Sequence, residues 1–289
     1  MLTALQYYLL TKIAPTEPHT MNGSAYAGKS KLRVSLGDQL LDLVRDKTVI
    51  DFGCGEGDQC LELVRLGARR AIGIDIRDDL LQRAAKKAVE AGLEDRCEFR
   101  GSTDTKADVI ISLDSFEHFE HPAAVIDSMF DLLQPGGLAL ISFGPTWYHP
   151  LGGHLFSVFP WAHLIFSEPA LIRWRSRIRN DGATRFGEVE GGLNQMTIAS
   201  FEKLARTSRF RVEMLETIPI RKLRRLHSRI TREFTTAVVR ARLVKPIYGK
   251  AGLAHAEDED ERTREDRLRQ VSDKASRMTA IRRRIRLAS

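Results

Sequence analysis

With 289 residues, of which 43% are hydrophobic, the chain can bury the core of one large domain, which excludes a mainly disordered protein. Charged residues and prolines interrupt its apolar stretches before they reach the roughly 20 residues of a membrane span, so we predict no transmembrane segment. Residues 1–150 carry 16 Lys and Arg against 22 Asp and Glu, whereas residues 151–289 carry 29 against 16. The acidic half suits a cationic ligand, and the basic half suits an anionic acceptor, a nucleic acid, a lipid surface or simply solvent.

Residues 1–47 precede the first predicted strand. Pro15 and Pro18 separate an apolar N-terminal helix from a second helix predicted over residues 32–44. The N-terminus lacks the basic region and the small-residue cleavage site of a secretory leader. The three cysteines form no C-x-x-C pair, so neither a zinc site nor a disulfide framework is predicted. We therefore expect a cytoplasmic protein without a metal site.

Residues 48–57, Thr-Val-Ile-Asp-Phe-Gly-Cys-Gly-Glu-Gly, begin as a buried strand and end in a glycine-rich turn. Gly53, Gly55 and Gly57 can adopt positive φ and let the backbone approach a ligand closely. Apolar residues at helical spacing predict a helix over residues 58–67. A strand, a glycine loop and a helix in succession are typical of a ligand-binding turn.

The second predicted strand, residues 70–75, ends in Asp75, 24 residues after Asp51. A carboxylate at the tip of the strand beside the glycine loop can accept both ribose hydroxyls of an adenosine-containing cofactor. Asp75 could instead cap the helix predicted over residues 78–92, but Asp78 can take that position, which leaves Asp75 for the ligand. The glycine spacing differs from the nicotinamide fingerprint, so at this point two cofactor classes remain open.

Strands and helices continue to alternate as far as residue 144. A strand is predicted at residues 97–100 and a helix over residues 121–133, and the stretches 107–118 and 132–142 each contain a further strand. This alternation predicts a parallel sheet with helices on both faces. Ligands of such sheets bind at the carboxyl ends of the strands, where Asp114 is also expected.

Three motifs in this order resemble those of class I S-adenosylmethionine-dependent methyltransferases. They are Asp51-x-Gly-x-Gly-x-Gly57, the stretch Ala107 to His118, and the stretch Leu132 to Ser142. The resemblance covers residues 48–144 and implies an α/β fold with a Rossmann-like, seven-stranded, mostly parallel sheet, helices on both faces and an antiparallel last strand. It also implies S-adenosyl-L-methionine as the cofactor, a methyltransferase domain over residues 48–250, and a helical cap formed by residues 1–47.

The resemblance also implies which residues bind the cofactor. Asp51 would face the methionine ammonium or fix the loop, Asp75 would bind the ribose, and Ile76 would pack on the adenine. The full predicted set is Asp51, Gly53, Gly55, Gly57, Asp75, Ile76, Ser102 and Asp114. Ser102 lies in the turn that usually contacts the adenine.

Residues 145–195 interrupt the alternation with a segment rich in aromatic residues and histidine, which we interpret as an inserted substrate cap. Its alternating arginines at 173–179 could bind phosphate or carboxylate, or lie on a membrane surface. Further strands are predicted at residues 210–218 and 234–244. Residues 251–289 are predicted to form a charged tail, either helical or disordered.

The predicted reaction is in-line transfer of a methyl group to a small-molecule, glycan- or lipid-linked acceptor. A general base is needed only if the acceptor is a protonated nucleophile such as a hydroxyl. His118 ranks first for that role and His154 second, and for each the alternative is a hydrogen-bonded structural histidine.

Two other classes of function remain as alternatives. An RNA or other nucleic-acid methyltransferase is disfavoured, because the turn at residues 114–117 lacks the Pro-Pro-aromatic element that holds a flipped base in amino-group methyltransferases. A non-catalytic cofactor-binding scaffold is disfavoured by the intact glycines and by Asp75. Peripheral membrane contact stays open.

Overall fold

The computed structural model describes residues 2–14, 29–37, 40–156, 158–179, 181–189 and 192–247. The chain divides into two compact units, Met1–Lys245 and Pro246–Ser289, and every element given below lies in the first. The predicted tail at 251–289 lies outside the described residues. Within the described ranges, no helix combines the length and the apolarity needed to cross a membrane.

Seven strands form one sheet in the order β3-β2-β1-β4-β5-β7-β6. The first five strands in this order are parallel to one another, and β7 is antiparallel to both β5 and β6. The strands are β1 Thr48–Phe52, β2 Arg70–Ile74, β3 Cys97–Arg100, β4 Ala107–Leu113, β5 Leu133–Phe143, β6 Arg211–Pro219 and β7 Thr236–Val244. The predicted seven-stranded, mostly parallel α/β fold is confirmed.

Ten α-helices accompany the sheet in the described part of the chain. They are α1 Leu2–Ile13, α2 Lys31–Leu36, α3 Leu40–Val44, α4 Asp58–Arg65, α5 Asp78–Glu90, α6 Pro122–Leu132, α7 Ala162–Ile165, α8 Glu168–Arg175, α9 Ile198–Thr207 and α10 Arg232–Thr235. The prediction of one helix over residues 32–44 was wrong. Gly37, with φ of 79°, ends α2 before α3 begins.

The core is divided between the two faces of the sheet, because successive strand residues point to opposite sides. Ile50 packs with one cluster, which includes Phe116, Phe143 and Phe201, whereas Val49 packs with the other. Helices α2 and α3 contribute Leu32, Leu40 and Val44 to the second cluster. The parallel pairing of β1 with β4 places the carboxyl ends of these strands beside each other.

A third hydrophobic cluster joins α1 to the segment that follows β5. Leu10 of α1 packs with Phe156, Leu171 and Trp174, and the Trp174 indole donates a 2.8 Å hydrogen bond to the Ala14 carbonyl. The N-terminal segment therefore packs in two places. Helix α1 belongs with the inserted segment, whereas α2 and α3 belong with the sheet.

Candidate active site

The chain order reverses at β1, which lies between β2 and β4. This is the switch point at which parallel sheets of this kind bind ligands, in the crevice beyond the carboxyl ends of the strands. The loops after β1 and β4 are tied together there, because the Ser115 hydroxyl donates hydrogen bonds to the carbonyls of Gly53 (3.2 Å) and Leu113 (3.1 Å).

All three glycines of the loop have a backbone conformation that favours glycine, and two of them also lack room for a side chain. Gly53, Gly55 and Gly57 have φ of 85°, 53° and 77°, the left-handed region that side chains disfavour. A Cβ on Gly53 would lie 2.6 Å from the Ser115 Oγ, and one on Gly57 would lie 2.5 Å from the Phe99 ring. A Cβ on Gly55 would meet nothing within 4 Å. Gly53 and Gly57 are therefore packed against protein, and Gly55 faces open space.

We expect Gly55→Ala to fold but to bind S-adenosylmethionine at least about 10-fold more weakly, because the added methyl group occupies the open space and strains the loop. The left-handed backbone by itself costs about 1–2 kcal/mol of stability. Gly92→Ala is the matched control, since Gly92 also has positive φ (63°) and no neighbour within 4 Å but follows α5. Calorimetric affinity and thermal unfolding should show similar destabilisation in both variants and weaker binding only in Gly55→Ala; equal affinities would contradict this role.

Asp75 follows β2 and is buried, at 6% exposure. Its carboxylate accepts hydrogen bonds from the backbone N–H groups of Gly55 (2.9 Å) and Arg77 (3.0 Å), and from the Arg77 guanidinium (3.1 Å). Burial raises the pKa of Asp75, but these hydrogen bonds outweigh it, so the pKa lies below its usual value. The prediction that Asp78 caps α5 was wrong, because Asp78 is the first residue inside this helix. Asp75 accepts hydrogen bonds both from the glycine loop, at Gly55, and from Arg77, the residue before the helix.

Asp51 lies inside β1 and is only 2% exposed. Burial raises the pKa of its carboxyl group to about 7, although the Lys31 ammonium nearby lowers it. Lys31 also donates a 3.1 Å hydrogen bond to the Leu113 carbonyl and pairs with Asp114 at 3.1 Å. The switch point thus contains a buried carboxyl group whose charge depends on a neighbouring cation.

The remaining residues of the predicted cofactor set lie along the same edge of the sheet. Ile76 is 93% exposed directly after Asp75. Ser102 is exposed in the turn after β3, the strand paired with β2. Asp114 follows β4 with φ of 50°. The edge therefore offers an apolar side chain and polar groups on successive loops.

The two predicted catalytic histidines come together, and Glu117 lies beside them. The rings of His118 and His154 are 5.2 Å apart at their centroids. One ligand-type atom from each of the three residues lies within 4.8 Å of the other two. The His154 Nε2 is 3.9 Å from the Glu117 Oε1. His118, which follows β4, and His154, which follows β5, therefore belong to one polar cluster although they are 36 positions apart in the sequence.

Sequence reasoning missed the residues that position this cluster. The Asn194 side-chain amide donates hydrogen bonds to the carbonyls of Phe116 (2.7 Å) and Phe119 (2.8 Å), and its backbone N–H donates to the Glu117 carbonyl. Gly192, with φ of 69°, lies so close that a Cβ would be 2.8 Å from the His118 carbonyl oxygen. No motif marks these contacts in the sequence, because they join segments about 75 residues apart.

Other polar residues of the inserted segment are engaged within it. The His163 Nε2 donates a 2.6 Å hydrogen bond to the Trp147 carbonyl, and burial lowers its pKa. Burial lowers the pKa of His149 to about 4. Arg175 is 3% exposed and pairs with Asp181 at 2.7 Å, so this member of the arginine series has a structural role.

Comparison with known proteins identifies a family. The chain matches the methyltransferase domain family over residues 29–215, which is more than half of its length. It is 39% identical over 102 residues to a ubiquinone biosynthesis O-methyltransferase of Nitrosococcus oceani, covering 33% of this chain and 43% of that protein. It is 45% identical over 76 residues to a ribosomal protein L11 methyltransferase of Escherichia coli, covering 25% of this chain and 26% of that protein. The chain thus spans less than half the length of these two relatives.

Solved structures that match this chain are more distant in sequence. An S-adenosylmethionine-dependent methyltransferase from Mesorhizobium loti is 16% identical, with a TM-score of 0.47, covering 71% of this chain and 94% of that one. The [4+2]-cyclase SpnF is 17% identical, with a TM-score of 0.48, covering 73% of this chain and 81% of that one.

Proposed function

The chain belongs to the methyltransferase domain family, as a class I S-adenosylmethionine-dependent member, and from that premise we propose that it methylates a hydroxyl-bearing acceptor. The acceptor would be a small molecule or a glycan- or lipid-linked intermediate. The observation that carries this proposal is the pair of histidines with Glu117 beside the cofactor edge of the sheet. A hydroxyl needs proton removal before it can attack, and this polar cluster supplies groups for that purpose.

The residues of the edge fit S-adenosylmethionine. The ionised Asp75 can accept ribose hydroxyls, the exposed Ile76 offers an apolar surface to the adenine, and Gly55 borders open space. Burial raises the pKa of Asp51 to about 7, and a cationic ligand at this edge would favour its ionised form, while Asp114 lies at the same edge. When bound, the cofactor supplies a methyl group on a positively charged sulfur, already activated for displacement.

The protein's own residues would align the acceptor and remove its proton. The acceptor oxygen gives its proton to the Nε2 of His118 and forms a bond to the methyl carbon, while the electron pair of the carbon–sulfur bond stays on sulfur. Holding the two reacting atoms in line at short distance supplies much of the acceleration. His118 and His154, which follow β4 and β5, are the residues we assign to the acceptor side of the site.

Methyl transfer from labelled S-adenosylmethionine to fractionated cell extracts tests this proposal. We expect label in the small-molecule, glycan or lipid fractions, and a loss of about 100-fold or more in His118→Gln with cofactor affinity unchanged. His121→Gln is the matched control, because His121 is exposed at the start of α6. Label in RNA or protein would overturn the acceptor class, and cofactor binding without transfer to any fraction would favour a scaffold. A cytoplasmic location stays part of this proposal.

A further inference from the structure

We propose that Glu117, His118 and His154 bind a divalent first-row transition-metal ion such as Zn²⁺ or Mn²⁺. The binding site stands on the geometry of the three side chains. Its role toward the acceptor rests on the proposed function. The sequence predicted no metal site, because its cysteines form no C-x-x-C pair and have no clustered histidine partners.

The Glu117 carboxylate lacks a partner on one side. Glu117 is 2% exposed, and its Oε1 accepts a 3.3 Å hydrogen bond from the Gly144 N–H. Its Oε2 is buried and has no hydrogen-bond partner among the described residues. An unpaired buried carboxylate oxygen is costly, and a cation bound by the Glu117 carboxylate would supply the missing interaction.

Both histidines present a lone pair for a metal. The Nδ1 of His118 lies 2.8 Å from the Gly192 carbonyl oxygen, and the Nδ1 of His154 lies 3.0 Å from the Gly152 carbonyl oxygen. A carbonyl oxygen only accepts, so each Nδ1 carries the proton and each neutral ring keeps its lone pair on Nε2. Donation from Nδ1 to a backbone carbonyl is the usual way in which proteins orient metal-binding histidines.

The backbone is shaped to bring His154 to this position. His154 itself has φ of 48°, a conformation that costs a non-glycine residue free energy. The two residues before it must be glycine, since a Cβ on Gly152 would collide with the Trp147 carbonyl and one on Gly153 would lie 2.7 Å from the His163 Cβ. Strained backbone is concentrated at functional sites, so the φ of His154 supports a function for the placement of its side chain.

Two imidazoles and one carboxylate are a ligand set that favours first-row transition ions over Mg²⁺ or Ca²⁺, which prefer oxygen ligands. Three protein ligands leave open coordination positions. An acceptor hydroxyl in such a position would release its proton to solvent at neutral pH, because metal coordination lowers the pKa of a bound oxygen, and the two histidines would then act through the ion rather than as bases. The substrate class would then be an acceptor whose reacting hydroxyl can bind a metal ion.

The test is Co²⁺ titration of chelator-treated full-length protein, followed by visible absorption and by calorimetry with Zn²⁺ and Mn²⁺. We expect one Co²⁺ per chain with d–d absorption bands. Glu117→Gln and His154→Gln should each weaken binding by more than the roughly 10- to 100-fold that loss of an outer-shell partner costs. The control variant His121→Gln, which changes an exposed histidine, should bind Co²⁺ as the wild type does. Using two variants keeps the test valid if Glu117→Gln fails to fold.

Calorimetry with S-adenosylmethionine on the same samples separates the two proposals. Absence of Co²⁺ binding in a wild type that binds the cofactor and transfers methyl groups would overturn the metal site and leave the function standing. Unchanged Co²⁺ affinity in both variants would also overturn it. Metal binding in a protein that transfers no methyl group would retain the site and refute the function.

Discussion

Asp75→Asn is expected to weaken S-adenosylmethionine binding by about 100-fold or more. In the wild type the ionised carboxylate accepts from the N–H groups of Gly55 and Arg77. The asparagine amide has only one accepting atom, so its NH₂ group must face one of these donors and the glycine loop loses its anchor. Loss of the charge also weakens hydrogen bonds to ribose hydroxyls, each worth about 1.5–3 kcal/mol when one partner is charged.

A cofactor analogue without ribose hydroxyls distinguishes direct contact from loop support. If Asp75 binds the ribose, the analogue should bind the wild type weakly, and Asp75→Asn should discriminate little between analogue and cofactor. Asp79→Asn is the charge-matched control, since its exposed carboxylate pairs with Arg83 on the surface of α5. Calorimetry supplies all the affinities. Equal discrimination by wild type and Asp75→Asn would refute ribose binding by this residue.

Asp51→Asn is expected to stabilise the free protein by about 4 kcal/mol at pH 8 but only by about 2 kcal/mol at pH 5. The native state holds the Asp51 proton up to about pH 7, whereas the unfolded chain releases it near pH 4. The contribution of Asp51 to stability is therefore fully present below pH 4 and is lost as the pH rises through 7. Asparagine stays neutral and avoids this loss. Urea unfolding at the two pH values measures the difference.

The same substitution should change how cofactor affinity depends on pH. A cationic ligand near Asp51 favours the ionised carboxylate, so wild-type affinity should increase by up to about 10-fold per pH unit below pH 7. Asp51→Asn should bind weakly with a flat profile. Asp58→Asn is the control. Asp58 is the first residue of α4, its carboxylate is 66% exposed, and it pairs with Lys87 of α5. A stability gain that is the same at pH 5 and pH 8 would show that burial does not raise the pKa of Asp51.

Lys31 shows how a functional environment can escape sequence reasoning. Nothing in the pattern of α2 separates this lysine from an ordinary surface cation, yet its ammonium lies against the carbonyl end of β4 and beside Asp51. The sequence also gave no sign that α1 packs on the inserted segment whereas α2 and α3 pack on the sheet. Both depend on which distant surfaces meet, and helical periodicity does not record that.

The sequence by itself determined the sheet, the glycine loop and the position of Asp75, because apolar periodicity, glycine conformation and strand ends are local properties. Chain order then placed Asp75 and Asp114 on one edge, since the carboxyl ends of parallel strands meet there. Only the tertiary structure decided that Glu117, His118 and His154 converge and that the Asp51 carboxyl is buried. The convergence requires residues 36 positions apart to meet, and the burial of Asp51 depends on side chains from several elements. Neither can therefore be predicted from a single stretch of the sequence.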